Sequence, residues 1–334
     1  MIPFKKLSII QKVNNSSFIL FFVILQSTVF SQGLIKVLDF GYNPGNLNAF
    51  VYLPLNYEQK DSLNLVVAFH GCGQNAENLA RITGITQLAD KYNCLVLFPQ
   101  QKMINNPQNC FNWFSKNHYN PDKGEMASIY QMIKYCKERY KIHKQYLYGV
   151  SAGACMALNV VYNYPNEFQG VALLAGAPFL GLNNFVEASR WLIAPKILSQ
   201  SELIQAFQKW KNTDALSFLP KLVLIHGLND PVVDIRNAFN IVTQYTALRL
   251  SDDIPDSTIN NFTNNPDIQR VEYNDKEGNP LIIFYKVMKL GHEIMVDPGT
   301  EAHQGGQLGG LFAKDKNFFS TYYIFKDWGI INEE

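Results

Sequence analysis

The stretch QYLYGVSAGACMALN, Gln145 to Asn159, joins an apolar run to a small-residue run through Gly-Val-Ser-Ala-Gly. A strand that turns abruptly into a helix needs small residues on both sides of the turn, and the residue at its tip is exposed and strained. The stretch therefore predicts a strand, a sharp turn with Ser151 at its tip, and a helix. Because G-x-S-x-G also arises by chance, its meaning depends on what the rest of the chain supplies.

Similar apolar runs bounded by turn residues recur along the chain. They read NLVVAFHG (64–71), CLVLFPQ (94–100), GVALLAG (170–176) and KLVLIHG (221–227), and most are followed by a loop and a helix-like segment. Continuous apolar strands that alternate with helices are typical of a parallel sheet buried on both faces. The predicted fold class is α/β, with a mostly parallel central sheet and helices on both faces.

Two segments depart from this alternation. Residues 181–212 are helix-rich without a strand pattern, which predicts a small helical cap that forms a wall for the substrate. Residues 251–267 are polar, and the stretch after them predicts a hairpin that turns at 276–279. We expect residues 32–334 to form one catalytic domain.

The first 31 residues predict a signal peptide. Lys5, Lys6 and Lys12 precede the apolar run 18–25, and small residues lead to an expected cleavage after Ser31. The run is shorter than the roughly 20 apolar residues of a membrane span, although an uncleaved anchor is the alternative. The expected location is secreted or extracytoplasmic.

The composition gives no sign of a charged partner. Lysine and arginine total 29, aspartate and glutamate 28, and the formal net charge is +1. A balanced chain lacks the electrostatic footprint of a protein that binds nucleic acid or an anionic membrane. We expect a neutral or small apolar ligand, no nucleic acid and no stable membrane partner.

The chain has five cysteines, so at least one has no intrachain partner. Export permits disulfides. Cys94 and Cys155 lie in apolar surroundings that are typical of buried thiols. Cys72 and Cys110 both lie in loops and are the predicted disulfide pair.

The acid that would accompany Ser151 is predicted from chain order. A serine hydroxyl needs an imidazole to accept its proton and a carboxylate to orient that imidazole, and after this kind of turn the chain order is serine, acid, histidine. Asp230 follows the strand-like KLVLIHG and is the predicted acid, with Asp234 as the alternative. A turn-forming aspartate before Pro231 is the non-catalytic interpretation.

Two of the six histidines follow the acid at a useful distance, His292 and His303. His292 comes directly off the last predicted strand through Gly291, so it is the predicted base. A zinc role is disfavoured because position 296 is valine, so no H-E-x-x-H pair exists. The others precede strand-end glycines or lie in polar segments: His70, His118, His143 and His226.

An alkoxide that develops on the substrate needs N–H donors. The backbone of Ala152, directly after the serine, supplies one. The stretch AFHGCGQNAENLA supplies the second, because Gly71 and Gly73 allow the chain to turn the N–H of Cys72 towards the serine. The Cys72 side chain is then structural and not a nucleophile.

Residues 105–120, NNPQNCFNWFSKNHYN, form an aromatic loop with Phe111, Trp113 and Phe114. These rings are either a hydrophobic platform for an acyl or aromatic substrate or a small core under the loop. The sequence alone does not separate the two interpretations.

Several stretches follow one another in a characteristic order: FGYNPGNLNAFVYLP, AFHGCGQNAENLA, NNPQNCFNWF, GEMASIYQMI, LYGVSAGACMA, HGLNDPVV, GHEIMVDPG and STYYIFKDWGI. Over about residues 39–330 the chain resembles the secreted polyhydroxybutyrate depolymerase-like esterases, relatives of feruloyl and acetyl xylan esterases. The resemblance implies an α/β-hydrolase fold, a Ser151–Asp230–His292 triad, Cys72 as an oxyanion residue and no cofactor. Two cysteines expected from the family are absent, since Gly305, Gly306 and Phe319 occupy those regions.

The residues and the resemblance together predict a secreted serine esterase. We expect it to hydrolyse hydroxyalkanoate esters through an acyl-enzyme, with a feruloyl or acetyl xylan esterase as the alternative. Since the given chain ends at Glu334 with no separate substrate-binding domain, oligomers or amorphous material are expected substrates before crystalline polymer. The alternative from another class is a catalytically silent scaffold that binds an apolar ligand or a protein.

Overall fold

The structure is a computed structural model that describes residues 33–211 and 218–332. The predicted signal peptide, residues 1–31, and the last residue of the predicted cap, 212, lie outside the described residues. Within the described ranges, the helices are all too short or too polar to cross a membrane.

The strands are β1 (Ile35–Val37), β2 (Asn48–Tyr52), β3 (Leu63–Phe69), β4 (Cys94–Gln100), β5 (Ile142–Val150), β6 (Gly170–Leu174), β7 (Lys221–Gly227), β8 (Ser257–Ile259), β9 (Ile268–Asn274), β10 (Pro280–Val287), β11 (Ile294–Val296) and β12 (Ala313–Asp315). The helices are α1 (Ala76–Thr83), α2 (Ile85–Tyr92), α3 (Lys116–Tyr119), α4 (Gly124–Arg139), α5 (Ala152–Asn163), α6 (Phe185–Ile193), α7 (Gln200–Gln208), α8 (Arg236–Leu248) and α9 (Ser320–Asp327).

Ten strands form one sheet in the order β1-β2-β4-β3-β5-β6-β7-β10-β9-β8. The central strands from β4 to β10 are parallel, and the pairs at both edges are antiparallel. The chain returns from β9 to β10 through a hairpin in which Asp275 and Asn279 close the turn. The predicted α/β fold class with a mostly parallel sheet is confirmed.

Helices cover both faces of the sheet because its central strands are apolar on both sides. In β3, Leu65, Val67 and Phe69 pack into the core that contains α4, α5 and α8. The intervening Val66 and Ala68 face the core that contains α1, α2 and α9. Alternate side chains of a strand point to opposite faces, so a continuous apolar run supplies both cores.

The segment 181–211 contains α6 and α7 and no strand. Asn184 caps α6 by accepting from the N–H of Glu187, and Ser199 and Glu202 form a capping box at the start of α7. These local signals explain why two helices form here. The role of the segment as a cap stays a prediction.

Phe319 is fully buried where the family resemblance leads to the expectation of a cysteine. A Cβ on Gly305 would lie 2.5 Å from its ring, so the two positions adjoin. The ring of Phe319 therefore packs against the backbone of Gly305 and joins the segments around these two residues.

Candidate active site

Ser151 occupies the sharp turn between β5 and α5. Its backbone has φ 56° and ψ −121°, and this positive φ is strained for a residue with a Cβ. Its N–H donates to the carbonyl of Leu174 at 2.8 Å. A Cβ on Gly149 would lie 2.5 Å from the carbonyl oxygen of Gly153, and one on Gly153 would lie 2.4 Å from that of Phe69. The close approach of strand and helix therefore requires both glycines.

Among the three predicted triad residues, His292 lies within hydrogen-bond distance of both Ser151 and Asp230. Ser151 Oγ is 2.9 Å from His292 Nε2, and His292 Nδ1 is 2.7 Å from Asp230 Oδ2. The strands β7 and β10 are parallel neighbours, and Asp230 and His292 follow their carboxyl ends. Residues 62 positions apart thus meet at one edge of the sheet.

The surroundings of Asp230 favour its charged form. Burial of the carboxyl group raises its pKa, but hydrogen bonds from His292 and from the backbone N–H groups of Val232 and Val233 lower the pKa below its usual value. The two N–H groups donate to Oδ1 at 2.8 and 2.9 Å. The carboxylate is thus ready to hold the N–H of the imidazole and to fix its tautomer.

The alternative acid and base lie in other environments. Asp234 is paired with Arg236 at 2.8 Å on the surface, and His303 is exposed beside the ring of Tyr322. Neither belongs to the group around Ser151. Fully buried His226 donates from Nε2 to the carbonyl of Val233 at 2.7 Å, so it supports the loop of the acid.

The turn after β3 presents one unused N–H beside the serine. The N–H of Gly71 donates to Gln74 Oε1. The N–H of Gly73 donates to the carbonyl of Gln108, and the N–H of Gln74 donates to the carbonyl of Gly71. The N–H of Cys72 has no acceptor within the described part of the chain. The first N–H of α5, on Ala152, has no preceding helical turn to receive it. Two backbone donors are thus available next to Ser151.

The predicted disulfide between Cys72 and Cys110 is present. It ties the turn after β3 to the aromatic loop. Cys94, Cys136 and Cys155 are buried free thiols.

Ser151 and His292 open into a cavity of about 450 Å³. Most of the lining is apolar, and no lysine or arginine of the described chain belongs to it. Besides the residues already described, the lining comprises Trp113, Phe114, Val150, Ala175, Phe185, Ala188, Ser189, Leu192, Ile193, Pro231, Glu293, Ile294 and Phe312. Nowhere in the described ranges do three or more histidine, cysteine or acidic side chains form a group suited to a metal ion.

The aromatic loop divides between the two interpretations. Trp113 and Phe114 line the cavity. Phe111 is completely buried and does not line it, because its ring packs against Phe69 and His70 at centroid distances of 5.7 and 4.9 Å. Phe111, a predicted substrate-binding residue, therefore fits the interpretation of a core residue under the loop and does not belong to the cavity lining.

Several cavity residues were not among the predicted site residues. Phe185, Ala188 and Leu192 lie on one face of α6 and contribute to the wall. Their spacing of three and four is that of one helix face, a signal already present in the sequence. Phe312 and Gln74 carry no such local signal, since only the folded chain brings them to the cavity.

Comparisons with known proteins relate this chain to esterases. The family described as "Esterase PHB depolymerase" matches residues 47–261. The poly(3-hydroxyalkanoate) depolymerase C of Paucimonas lemoignei is 32% identical over 302 residues, which cover 89% of this chain and 70% of that protein. A feruloyl esterase B of Talaromyces stipitatus is 27% identical over 233 residues, 67% of this chain and 63% of that protein.

A third relative, an acetylxylan esterase of Coprinopsis cinerea, is 25% identical over 279 residues, 80% of this chain and 71% of that protein. Among solved structures, an acetyl xylan esterase from Aspergillus awamori superposes with a TM-score of 0.67 at 20% identity, covering 78% of this chain and 94% of that chain. The latter match shows a shared fold. The chain therefore belongs to the PHB depolymerase esterase family and is a carboxylic ester hydrolase with the α/β-hydrolase fold.

Proposed function

We propose that the chain is a secreted serine esterase that cleaves hydroxyalkanoate esters through an acyl-enzyme on Ser151. The observation that carries the proposal is the continuous contact from Ser151 Oγ through His292 to Asp230, at 2.9 and 2.7 Å. It lies beside the free N–H of Cys72 in an apolar cavity. A scaffold without catalysis has no physical need for this arrangement.

In the first half-reaction His292 Nε2 accepts the proton of Ser151 as Oγ bonds to the ester carbonyl carbon. The carbonyl oxygen becomes an oxyanion, which the N–H groups of Cys72 and Ala152 stabilise by hydrogen bonds. The carbon–oxygen bond to the alcohol then breaks, and the alcohol leaves with the proton from Nε2. Water repeats the sequence on the acyl-enzyme, releasing the acid and restoring the Ser151 hydroxyl.

The cavity favours a neutral, largely apolar acyl group. Trp113, Phe114 and Leu192 line the cavity. Among the residues that the structure describes, no lysine or arginine belongs to the lining. The relative at 32% identity is named a poly(3-hydroxyalkanoate) depolymerase, whose substrate class matches such a cavity. The second candidate is a carbohydrate esterase that removes feruloyl or acetyl groups, which the names of the relatives at 27% and 25% identity favour.

The test is hydrolysis by purified protein with Ser151→Ala as control. The panel is p-nitrophenyl butyrate, 3-hydroxybutyrate oligomers, methyl ferulate and acetylated xylan. We expect turnover of the oligomers that the substitution abolishes. Preference for ferulate or xylan would favour the second candidate, and inactivity on all four, with no fluorophosphonate label on Ser151, would favour a silent scaffold.

Export rests on the N-terminal pattern described above. We expect the protein recovered outside an expressing cell to begin at Gln32, which N-terminal sequencing measures. A secreted form that still begins at Met1 would contradict cleavage after Ser31.

A further inference from the structure

Two buried side chains hold Gly71, the residue before Cys72, from opposite sides. His70 Nδ1 lies 2.8 Å from the carbonyl oxygen of Gly71. The N–H of Gly71 donates to Gln74 Oε1 at 2.9 Å. His70 is 1% exposed and Gln74 2% exposed, and neither belongs to the Ser151–Asp230–His292 group. Both backbone polar groups of one glycine are therefore bonded to side chains.

The protonation of His70 follows from its partners. A carbonyl oxygen only accepts, so Nδ1 carries the proton and donates to Gly71. The backbone N–H of Gln101 donates to Nε2 at 3.1 Å, so Nε2 has no proton. Burial lowers the pKa of His70 to about 4, which keeps the ring in this neutral form at neutral pH.

The contact with the Gly71 carbonyl determines where the next N–H points. In a trans peptide the C=O of Gly71 and the N–H of Cys72 point in opposite directions. The carbonyl accepts from His70 and from the N–H of Gln74, at 2.8 and 3.2 Å. The N–H of Cys72 is thereby directed away from these partners, and Cys72 lines the cavity of Ser151.

We propose that His70 and Gln74 are positioning residues that clamp Gly71 and thereby aim the N–H of Cys72 at the substrate oxyanion. The inference rests on the acyl-enzyme mechanism proposed above. A donor that is already oriented stabilises the developing charge without reorganising during the reaction. A Cβ at position 71 would lie 3.2 Å from Gln74 Oε1, so a larger residue there would require the Gln74 side chain to shift by a few tenths of an ångström.

The clamp continues into the aromatic loop. The Gln101 side chain donates to Glu125 and to the carbonyl of Cys110, at 2.6 and 3.1 Å. The ring of Phe111 packs on His70 at 4.9 Å. The His70 imidazole is thus held by the ring of Phe111 and by the backbone N–H of Gln101. The position of its donor Nδ1 is therefore set by packing and by hydrogen bonds together.

The experiment compares two replacements of His70. His70→Leu removes the donor, whereas His70→Asn keeps an N–H at nearly the position of Nδ1. For p-nitrophenyl butyrate we expect His70→Leu to lower kcat by about 10- to 100-fold with little change in KM, less than the about 10²- to 10³-fold loss when an oxyanion donor is removed. His70→Asn is expected to recover most of kcat.

A second readout is inhibition by 1-butylboronic acid, which forms a tetrahedral adduct on an active serine. Its inhibition constant is expected to rise in His70→Leu in proportion to the loss of kcat, since the adduct uses the same N–H donors. An inhibition constant that stays unchanged while kcat falls would contradict the clamp.

Thr321→Val is the matched structural control. Thr321 is buried, donates to the carbonyl of Thr83 at 2.7 Å and does not line the cavity. If Thr321→Val lowers both Tm and kcat as much as His70→Leu does, the loss of kcat in His70→Leu is merely structural and the clamp is refuted. Should His70→Leu fail to fold, Gln74→Met tests the other arm, and an unchanged kcat in that variant would refute the proposal.

The wild type separates this inference from the proposed function. A wild type that neither turns over esters nor reacts with a fluorophosphonate would remove the proposed function and the clamp with it. An active wild type with a fully active His70→Leu variant would remove the clamp alone.

Discussion

Asp230 combines one contact to the imidazole with two to the backbone, and its charge is the property that the site uses. Replacement by asparagine keeps the shape but loses the charge and favours the wrong imidazole tautomer. We expect Asp230→Asn to lower kcat by about 10⁴-fold, as measured by steady-state kinetics on p-nitrophenyl butyrate. Asp234→Asn is the control, because that carboxylate is paired with Arg236 on the surface. A normal rate in Asp230→Asn, or an equal loss in the control, would contradict the assignment.

Glu125 gives the stability of the protein a predictable pH dependence. It is completely buried, and burial raises its pKa to about 7 although hydrogen bonds from Asn112 and Gln101 favour the carboxylate. The folded protein therefore keeps a proton that the unfolded chain releases near pH 4.5. This group lowers the free energy of unfolding as pH rises from about 4.5 to 7, by at most about 1.4 kcal/mol per pH unit.

Urea denaturation at several pH values measures this slope. We expect Glu125→Gln to flatten it between about pH 4.5 and 7, whatever the variant does to absolute stability. Glu272→Gln, in β9 next to the edge strand β8, is the control and should keep the slope. An unchanged slope in Glu125→Gln would show that Glu125 does not hold the proton.

At the scale of elements, the disulfide joins the turn after β3 to the aromatic loop across 38 residues of chain. A cross-link of this span stabilises the fold by about 3 to 4 kcal/mol, mainly because it lowers the conformational entropy of the unfolded chain. It also restrains Cys72, whose N–H we propose as an oxyanion donor. Cys72→Ser combined with Cys110→Ser is therefore expected to lower both Tm and kcat.

Calorimetry and kinetics on the same preparation check this expectation. Cys136→Ser is the control, because Cys136 is a buried free thiol in α4 and does not line the cavity. If the double variant loses Tm but keeps kcat at a temperature where it is folded, the disulfide has no part in aiming the Cys72 N–H.

At the scale of the whole molecule, the cavity is assembled from residues as far apart as Gly71 and Phe312. Its described lining contains the acid Glu293 but no lysine or arginine. An anionic acyl group would lose its hydration there without finding a partner. We expect kcat/KM for p-nitrophenyl butyrate to exceed that for the p-nitrophenyl monoester of succinate by more than about tenfold.

The contrary result is equal kcat/KM for the butyrate and succinate esters, measured on the same enzyme. Equal efficiency for the two esters would mean that a cation reaches the acyl group, and the neutral-substrate proposal would fail. Leu192→Arg offers an internal comparison, since a guanidinium in the wall should raise the relative efficiency for the succinate ester.

The sequence by itself determined the fold class and pointed to Ser151, Asp230, His292 and the Cys72–Cys110 pair. These features depend on local patterns: apolar runs that end in turns, small residues around a serine, and the order of strands that end at one edge. The parallel sheet then brings strand ends together whatever the details of packing.

Only the tertiary structure decided which residues surround these groups. Phe111 and Trp113 are neighbours in one aromatic loop, but one ring enters the core and the other the cavity, because burial depends on partners distant in the chain such as Phe69. The clamp of His70 and Gln74 on Gly71 is likewise invisible in the sequence. Hydrogen-bond direction depends on how peptide planes are oriented, and this orientation is set by the packing of the whole fold.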